Sequence, residues 1–140
     1  MPTTPWEMLC AAPRDDNGKA RCAWGKHEFI YEYDPSEVTD KEIARFNEVV
    51  SGYADALPLF AQRIYEYYPP EWGISQEDIE NGLGAPQVYL YTKPVDGPDL
   101  ASFIDPIHFT YCEATFDETH IIDIGCGEHL SDLRSVMLDG

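Results

Sequence analysis

The chain has 140 residues, 44% hydrophobic and 13% aromatic, enough apolar material for a core without metal or disulfide staples and too much for a disordered segment. Its 26 acidic and 9 basic side chains give a formal net charge of −17, which argues against direct nucleic-acid binding and for a basic protein partner. The longest apolar run, Ala56–Ala61, is broken by Pro58, and Met1 to Arg14 lacks the pattern of a secretory signal, so a cytoplasmic chain without membrane spans is expected.

One domain over residues 1–140 is the expected organisation. Residues 1–21 hold Pro2, Pro5 and Pro13 and the turn pair Asn17-Gly18, and read as a loosely ordered flap anchored through Trp6, Met8 and Leu9. From Cys22 to Tyr33, Phe29, Tyr31 and Tyr33 alternate with Glu28 and Glu32, the pattern of a half-buried strand. Asp40–Tyr68 is the organising segment. Ile43, Phe46, Val50, Tyr53, Leu57, Phe60, Ile64 and Tyr67 recur at three- and four-residue steps, which places them on one stripe of a helix. Thr39 and Glu42 form its capping signal, and Pro69-Pro70 stop it. Pro58 removes one backbone hydrogen bond and crowds the carbonyl of Ala54, which predicts a kink or two abutting helices.

Ser75 with Asp78 opens a short second helix through about Asn81, ended by Gly82 and Gly84. Gln87–Thr92 reads as a strand, Lys93–Pro98 as a loop, and Leu100 to Ile104 as the start of a further strand or the lead into the next. Ile107–Phe116 alternates as a strand, Asp117-Glu118-Thr119 turns the chain, and His120–Ile124 returns. Gly125 and Gly127 break that strand, and Ser135–Leu138 adds a last short one. The expected fold is α+β: one long, kinked or divided amphipathic helix on a mainly antiparallel sheet of four to six strands, with a short second helix.

Three constellations could carry chemistry. Ile121-Ile122-Asp123-Ile124-Gly125-Cys126-Gly127 looks like the glycine motif of methyltransferases that use S-adenosylmethionine. His129 stands where its third glycine belongs, though, and 11 further residues leave no room for the βα units that complete a cofactor crevice. A glycine-rich turn after a strand is the simpler reading. Cys112, His120, Cys126 and His129 fall within 18 residues and offer an alternative as a small metalloprotein or enzyme. Only Cys126-x-x-His129 has a chelating spacing, however, where a structural zinc site uses two close pairs. A Cys112 nucleophile with His108 or His120 lacks an orienting third group. No catalytic residue, metal or cofactor is therefore assigned, and four reduced cysteines are expected.

Charge is unevenly placed. Residues 1–64 hold 7 basic and 11 acidic side chains, whereas residues 65–140 hold Lys93 and Arg134 against 15 acids. Aromatic residues gather in the same region: Tyr65, Tyr67, Tyr68 and Trp72 mark the end of the main helix beside Glu66 and Glu71. Tyr67 belongs to the core stripe, which leaves Tyr65, Tyr68 and Trp72 as contact candidates.

Ala56-Leu57 and Ile64-Tyr65-Glu66-Tyr67-Tyr68, followed by Thr115-Phe116-Asp117-Glu118-Thr119-His120, resemble a set of small uncharacterised bacterial domains. Those have a helix ending in a tyrosine pair and a later sheet with an aromatic-Asp-Glu-Glu-His-Gly turn. The resemblance spans about residues 50–125, with Thr119 in place of the second Glu and Ile121 in place of the Gly. Some members are similar to immunity proteins encoded beside contact-dependent or secreted toxins. The resemblance thus implies an accessory or inhibitor role and supplies no catalytic residue. Together these readings give an acidic module that occludes the active site of a basic toxin or effector, of the nuclease kind. The expected partner-binding residues are Glu66, Tyr68, Glu71, Trp72, Asp117, Glu118, Asp123 and Glu128.

Overall fold

A computed structural model of the chain describes residues 3–92 and 105–139. The segments read as a loop at Lys93–Pro98 and a strand start at Leu100 to Ile104 lie outside the described residues. The elements in chain order are α1 (Pro5–Ala11), β1 (Lys19–Trp24), β2 (His27–Glu32), α2 (Asp40–Tyr65), α3 (Gln76–Gly82), β3 (Pro86–Leu90), β4 (Ile107–Tyr111), β5 (Ile121–Cys126) and β6 (Leu133–Asp139). One sheet carries all six strands in sequence order. Every neighbouring pair is antiparallel except β2 and β3, which run parallel because α2 and α3 carry the chain back between them. The fold is α+β, as the alternation and helix patterns predict. No helix among the described residues is long and apolar enough to cross a membrane.

At the beginning of the chain a short helix carries the anchor residues Trp6 and Leu9. Thr4 caps α1 by accepting from the Glu7 N–H at 3.2 Å, and Pro5 occupies the first turn, where its missing N–H costs nothing. Trp6 stands edge-on against Phe46, Tyr31 and Tyr33, and Leu9 is fully buried. The segment read as one strand over residues 22–33 is instead the second strand of a hairpin together with part of the first. Gly25, at φ +63°, takes the first turn position between Trp24 and His27. A tight hairpin needs that left-handed backbone, which a residue with a Cβ rarely adopts.

The main helix forms as its spacing predicts, from the Thr39 cap onward, and it runs as one helix through Pro58. Ala54 and Pro58 are both exposed, so the carbonyl left without its N–H partner lies on the watered side. Phe46, Val50, Tyr53, Leu57, Phe60 and Ile64 are buried, joined by Val49, Ala56 and Ala61. They cover the sheet face built from Phe29, Tyr31, Val88, Phe109, Tyr111, Ile122, Ile124 and Val136. Phe60 and Tyr53 lie 5.6 and 5.5 Å from the Phe109 ring, and the Tyr53 and Tyr111 hydroxyls satisfy each other at 2.6 Å.

Strand β5 continues through Gly125 to Cys126 instead of breaking there. A Cβ on Gly125 would stand 2.0 Å from Asp105 Oδ2 and 2.7 Å from Ser135 Oγ, so the glycine serves close approach by two neighbours. A register shift between Gly125 and Cys126 marks the same place. The hairpin into β6 is antiparallel, which rules out the helix crossover that the methyltransferase motif requires.

Candidate functional site

The C-terminal end of α2 is where the expected residues converge. The helix closes at Tyr65, and tight bonds from Tyr67 N–H to the Ile64 carbonyl (3.0 Å) and Tyr68 N–H to the Tyr65 carbonyl (3.1 Å) curl the chain round. Pro69 and Pro70 prevent continuation, and Pro70–Trp72 forms a single 3₁₀ turn that Gly73 ends at φ +69°. This turn exchanges the roles of two tyrosines. Once the 3.6-residue period stops, Tyr67 swings outward and is 53% exposed, its hydroxyl donating to the Val136 carbonyl at 2.9 Å. Tyr68 swings inward and is 6% exposed. The periodic assignment of Tyr67 to the core and Tyr68 to the surface is thereby reversed.

Tyr68 reaches the turn between β4 and β5. Its hydroxyl donates to Asp117 Oδ2 at 2.7 Å, and His120 Nδ1 lies 2.6 Å from the same oxygen, donating when its proton is on Nδ1. Thr119 supplies its backbone N–H at 2.9 Å and its hydroxyl at 2.6 Å to Asp117 Oδ1, a local turn in which an aspartate folds onto the residue two further on. Burial raises the affinity of the Asp117 carboxyl for a proton. The bonds from Thr119, Tyr68 and His120 outweigh that and hold the group far below the usual carboxylate range. Burial, reinforced by the Asp117 charge, pushes the Tyr68 phenol up. Asp117 is thus a buried, saturated anion at 8% exposure and not a solvated turn acid. Tyr68 and Asp117 are buried; they fasten α2 to the β4–β5 turn and set the surface around them.

That surface carries Tyr65, Tyr67 and Trp72, all exposed, with Trp72 at 58% and its ring 5.7 Å from that of Tyr68. Glu66, Glu71 and Glu118 are exposed beside them, and Phe116 packs edge-on to Tyr68 beneath. Glu66 lies 3.5 Å from Arg63, a solvated ion pair on the same helix end. Aromatic bodies with polar tips, ringed by carboxylates and supported from below, suit contact with a cationic surface.

Asp123 and Glu128 lie elsewhere. Asp123 is on the opposite face of the sheet, where it accepts from the Thr110 hydroxyl at 2.7 Å and lies 3.1 Å from His108 Nε2. Burial raises its pKa, and bonds from Thr110, Asp139 and His108 bring it below the ordinary value. Asp139, sharing a hydrogen bond with Asp123, is pushed up in turn. Glu128 sits at the β5–β6 turn, paired with Arg45. Arg45 and Glu66 are 21 residues apart along α2, roughly 30 Å at the rise of a helix. Six of the eight expected residues therefore share one end of the molecule, and two do not.

The alternative cluster is not assembled. Cys126 faces the core opposite Ile107, whereas Cys112 follows Tyr111 at the far end of β4, about 17 Å away along the strand. Burial pushes the Cys126 thiol up to about 12, the reverse of what a metal ligand or nucleophile needs. Among the described residues no group of three or more His, Cys, Asp or Glu is placed to hold a metal ion, and all four cysteines are free.

Sequence reasoning missed the partners of Asp117. Thr119 was legible only as a turn residue and His120 as a strand start or a partner of the cysteines, although the Asp-x-Thr spacing is the signal of such a fold-back. The His108–Asp123 contact had no local signal, since it joins two strands through their register. Comparison of the chain with protein-family models, with curated proteins and with solved structures finds no match.

Proposed function

We propose that this protein is an inhibitory binding module, of the immunity type, that neutralises a basic toxin or effector by covering its cationic active site. Glu66, Glu71 and Glu118 supply charge, and Trp72, Tyr65 and Tyr67 supply contact area. Tyr68 and Asp117 act from beneath as positioning residues. The observation that carries the reading is the gathering of three exposed aromatics and three exposed carboxylates on one buried polar clamp. The excess of acids over bases in residues 65–140 supports it, since opposite fields speed encounter with a cationic partner. The resemblance of residues 50–125 to small uncharacterised bacterial domains, some of them similar to immunity proteins, points the same way.

The test is capture from the source cells with wild type and with a Trp72→Ala, Glu71→Gln double variant. A basic protein retained by wild type and lost by the variant is expected. Its association rate should fall about ten- to a hundredfold between 50 and 500 mM salt, as Debye screening shortens. A partner held equally by both proteins, with a salt-insensitive rate, would sink the reading.

A further inference from the structure

The two edges of the sheet are finished differently. Along β1, Arg14 bridges to Ala20, so the preceding segment partly covers that edge. Strand β6 forms the other edge and is the longest of the six, at 7 residues. Among the described residues no strand pairs with its outer side. Every second residue of an antiparallel edge strand turns its N–H and C=O away from its neighbour, leaving a row of unpaired groups. Native proteins usually disarm such an edge with proline, with shortness or with charge along its length. Here Ser135-Val136-Met137-Leu138 carries neither charge nor proline between Arg134 and Asp139.

Exposed apolar groups flank this edge on both sides of the sheet. Tyr67 lies on the helix side, its hydroxyl donating to the Val136 carbonyl. Met137 is 55% exposed on the open side, opposite Asp123, and Ile121 is exposed opposite Asp139. Carboxylates rim the strip: Glu66 beside Tyr67, and Asp123 and Asp139 on the open face. The strip is continuous with the aromatic and acidic surface described above through Tyr67.

We infer that β6 is a strand-addition site, on which an extended cationic segment of the partner pairs through its main chain as a seventh strand. This deepens, and rests on, the proposed inhibitory role. Main-chain bonds to the edge would supply affinity, apolar side chains at every second position would cover Tyr67 on the helix side, and the basic ones between them would lie along Met137 and meet Asp123 and Asp139 on the open side. A second copy of this chain is the poorer occupant, because two bodies each of formal charge −17 would have to be brought together.

The test uses the isotope-labelled full chain and an eight-residue peptide alternating lysine with valine. Controls are the same peptide N-methylated at every second residue and a glutamate–valine peptide. Amide hydrogen exchange and chemical shifts are followed at residues 133–139 and 65–72. The lysine peptide should slow exchange at alternate β6 amides. N-methylation, which deletes main-chain donors without touching charge, should weaken binding by about tenfold or more. The glutamate peptide should not bind. Lysine-peptide binding confined to residues 65–72 and indifferent to N-methylation would overturn strand addition while leaving the charged-surface role intact. Protection of β6 that grows with protein concentration alone would overturn it in favour of self-pairing, and absence of any peptide effect on β6 would overturn it outright.

Discussion

Both ends of α2 meet an acid-bearing turn of the sheet, and the two meetings are built in different ways. At the C-terminal end, Asp117 is buried and receives donors from Tyr68, Thr119 and His120. At the N-terminal half, Glu128 reaches Arg45 while itself staying 65% exposed, and His129 lies 3.4 Å from Glu48 in the open. A carboxylate in a dry, saturated pocket is worth far more than one in a watered ion pair, because removing a donor there leaves a buried group unsatisfied. One end is therefore fastened through a buried acid with several donors, and the other through an ion pair in which the arginine is largely buried and the acid exposed. The exposed aromatic surface stands over the first.

The largest expected effect comes from breaking the clamp. Asp117→Ala should cost about 2–4 kcal/mol in chemical denaturation, since it strips Tyr68, Thr119 and His120 of their shared acceptor at once. A loss under 0.5 kcal/mol would mean the clamp holds nothing. The same group sets the acid limb of stability. Because the folded carboxyl titrates below its unfolded value, its contribution is complete above about pH 5 and fades as pH falls below about 4. Thermal melts from pH 6 to pH 2 should show a shallower decline in Asp117→Asn than in wild type.

Tyr68→Phe removes one of the four donors and should cost about 1–2 kcal/mol. In a double-mutant cycle with Asp117→Asn, the two losses should fall short of additive by at least about 0.5 kcal/mol. At the other end, Glu128→Gln should change stability by no more than about 1 kcal/mol, and by less in high salt. Trp72→Ala should leave the fold within about 0.5 kcal/mol of wild type while abolishing partner capture, which separates the surface from its support. Thiol labelling gives the smallest and most local readout. Cys10 and Cys112 should react in the folded protein and buried Cys22 and Cys126 should not. Glu128→Gln should not alter that pattern; rapid labelling of Cys126 in this variant would show that the ion pair holds its turn closed.

What the sequence by itself determined is whatever depends on neighbours within a turn or two. The Thr39 and Ser75 caps, the apolar stripe from Phe46 to Ile64, and the alternation in Phe29–Tyr31 and Ile107–Tyr111 are all local signals, and each yielded an element of the right kind. The Gly25 turn and the Thr4-x-x-Glu7 cap were equally local, yet a single glycine between alternating residues and a seven-residue helix among prolines are weak against the patterns around them. Tertiary structure decided the rest. The stripe predicts Tyr67 inward only while the helix lasts; Pro69 and Pro70 stop it, and the pocket at Asp117 then takes Tyr68 in its place. No count of carboxylates distinguishes Asp117 from Glu128, because burial and hydrogen bonding depend on strand register and on residues 49 and 83 positions away. Charge is a property of composition, but the work a charge does depends on its solvation, and solvation is decided by the fold.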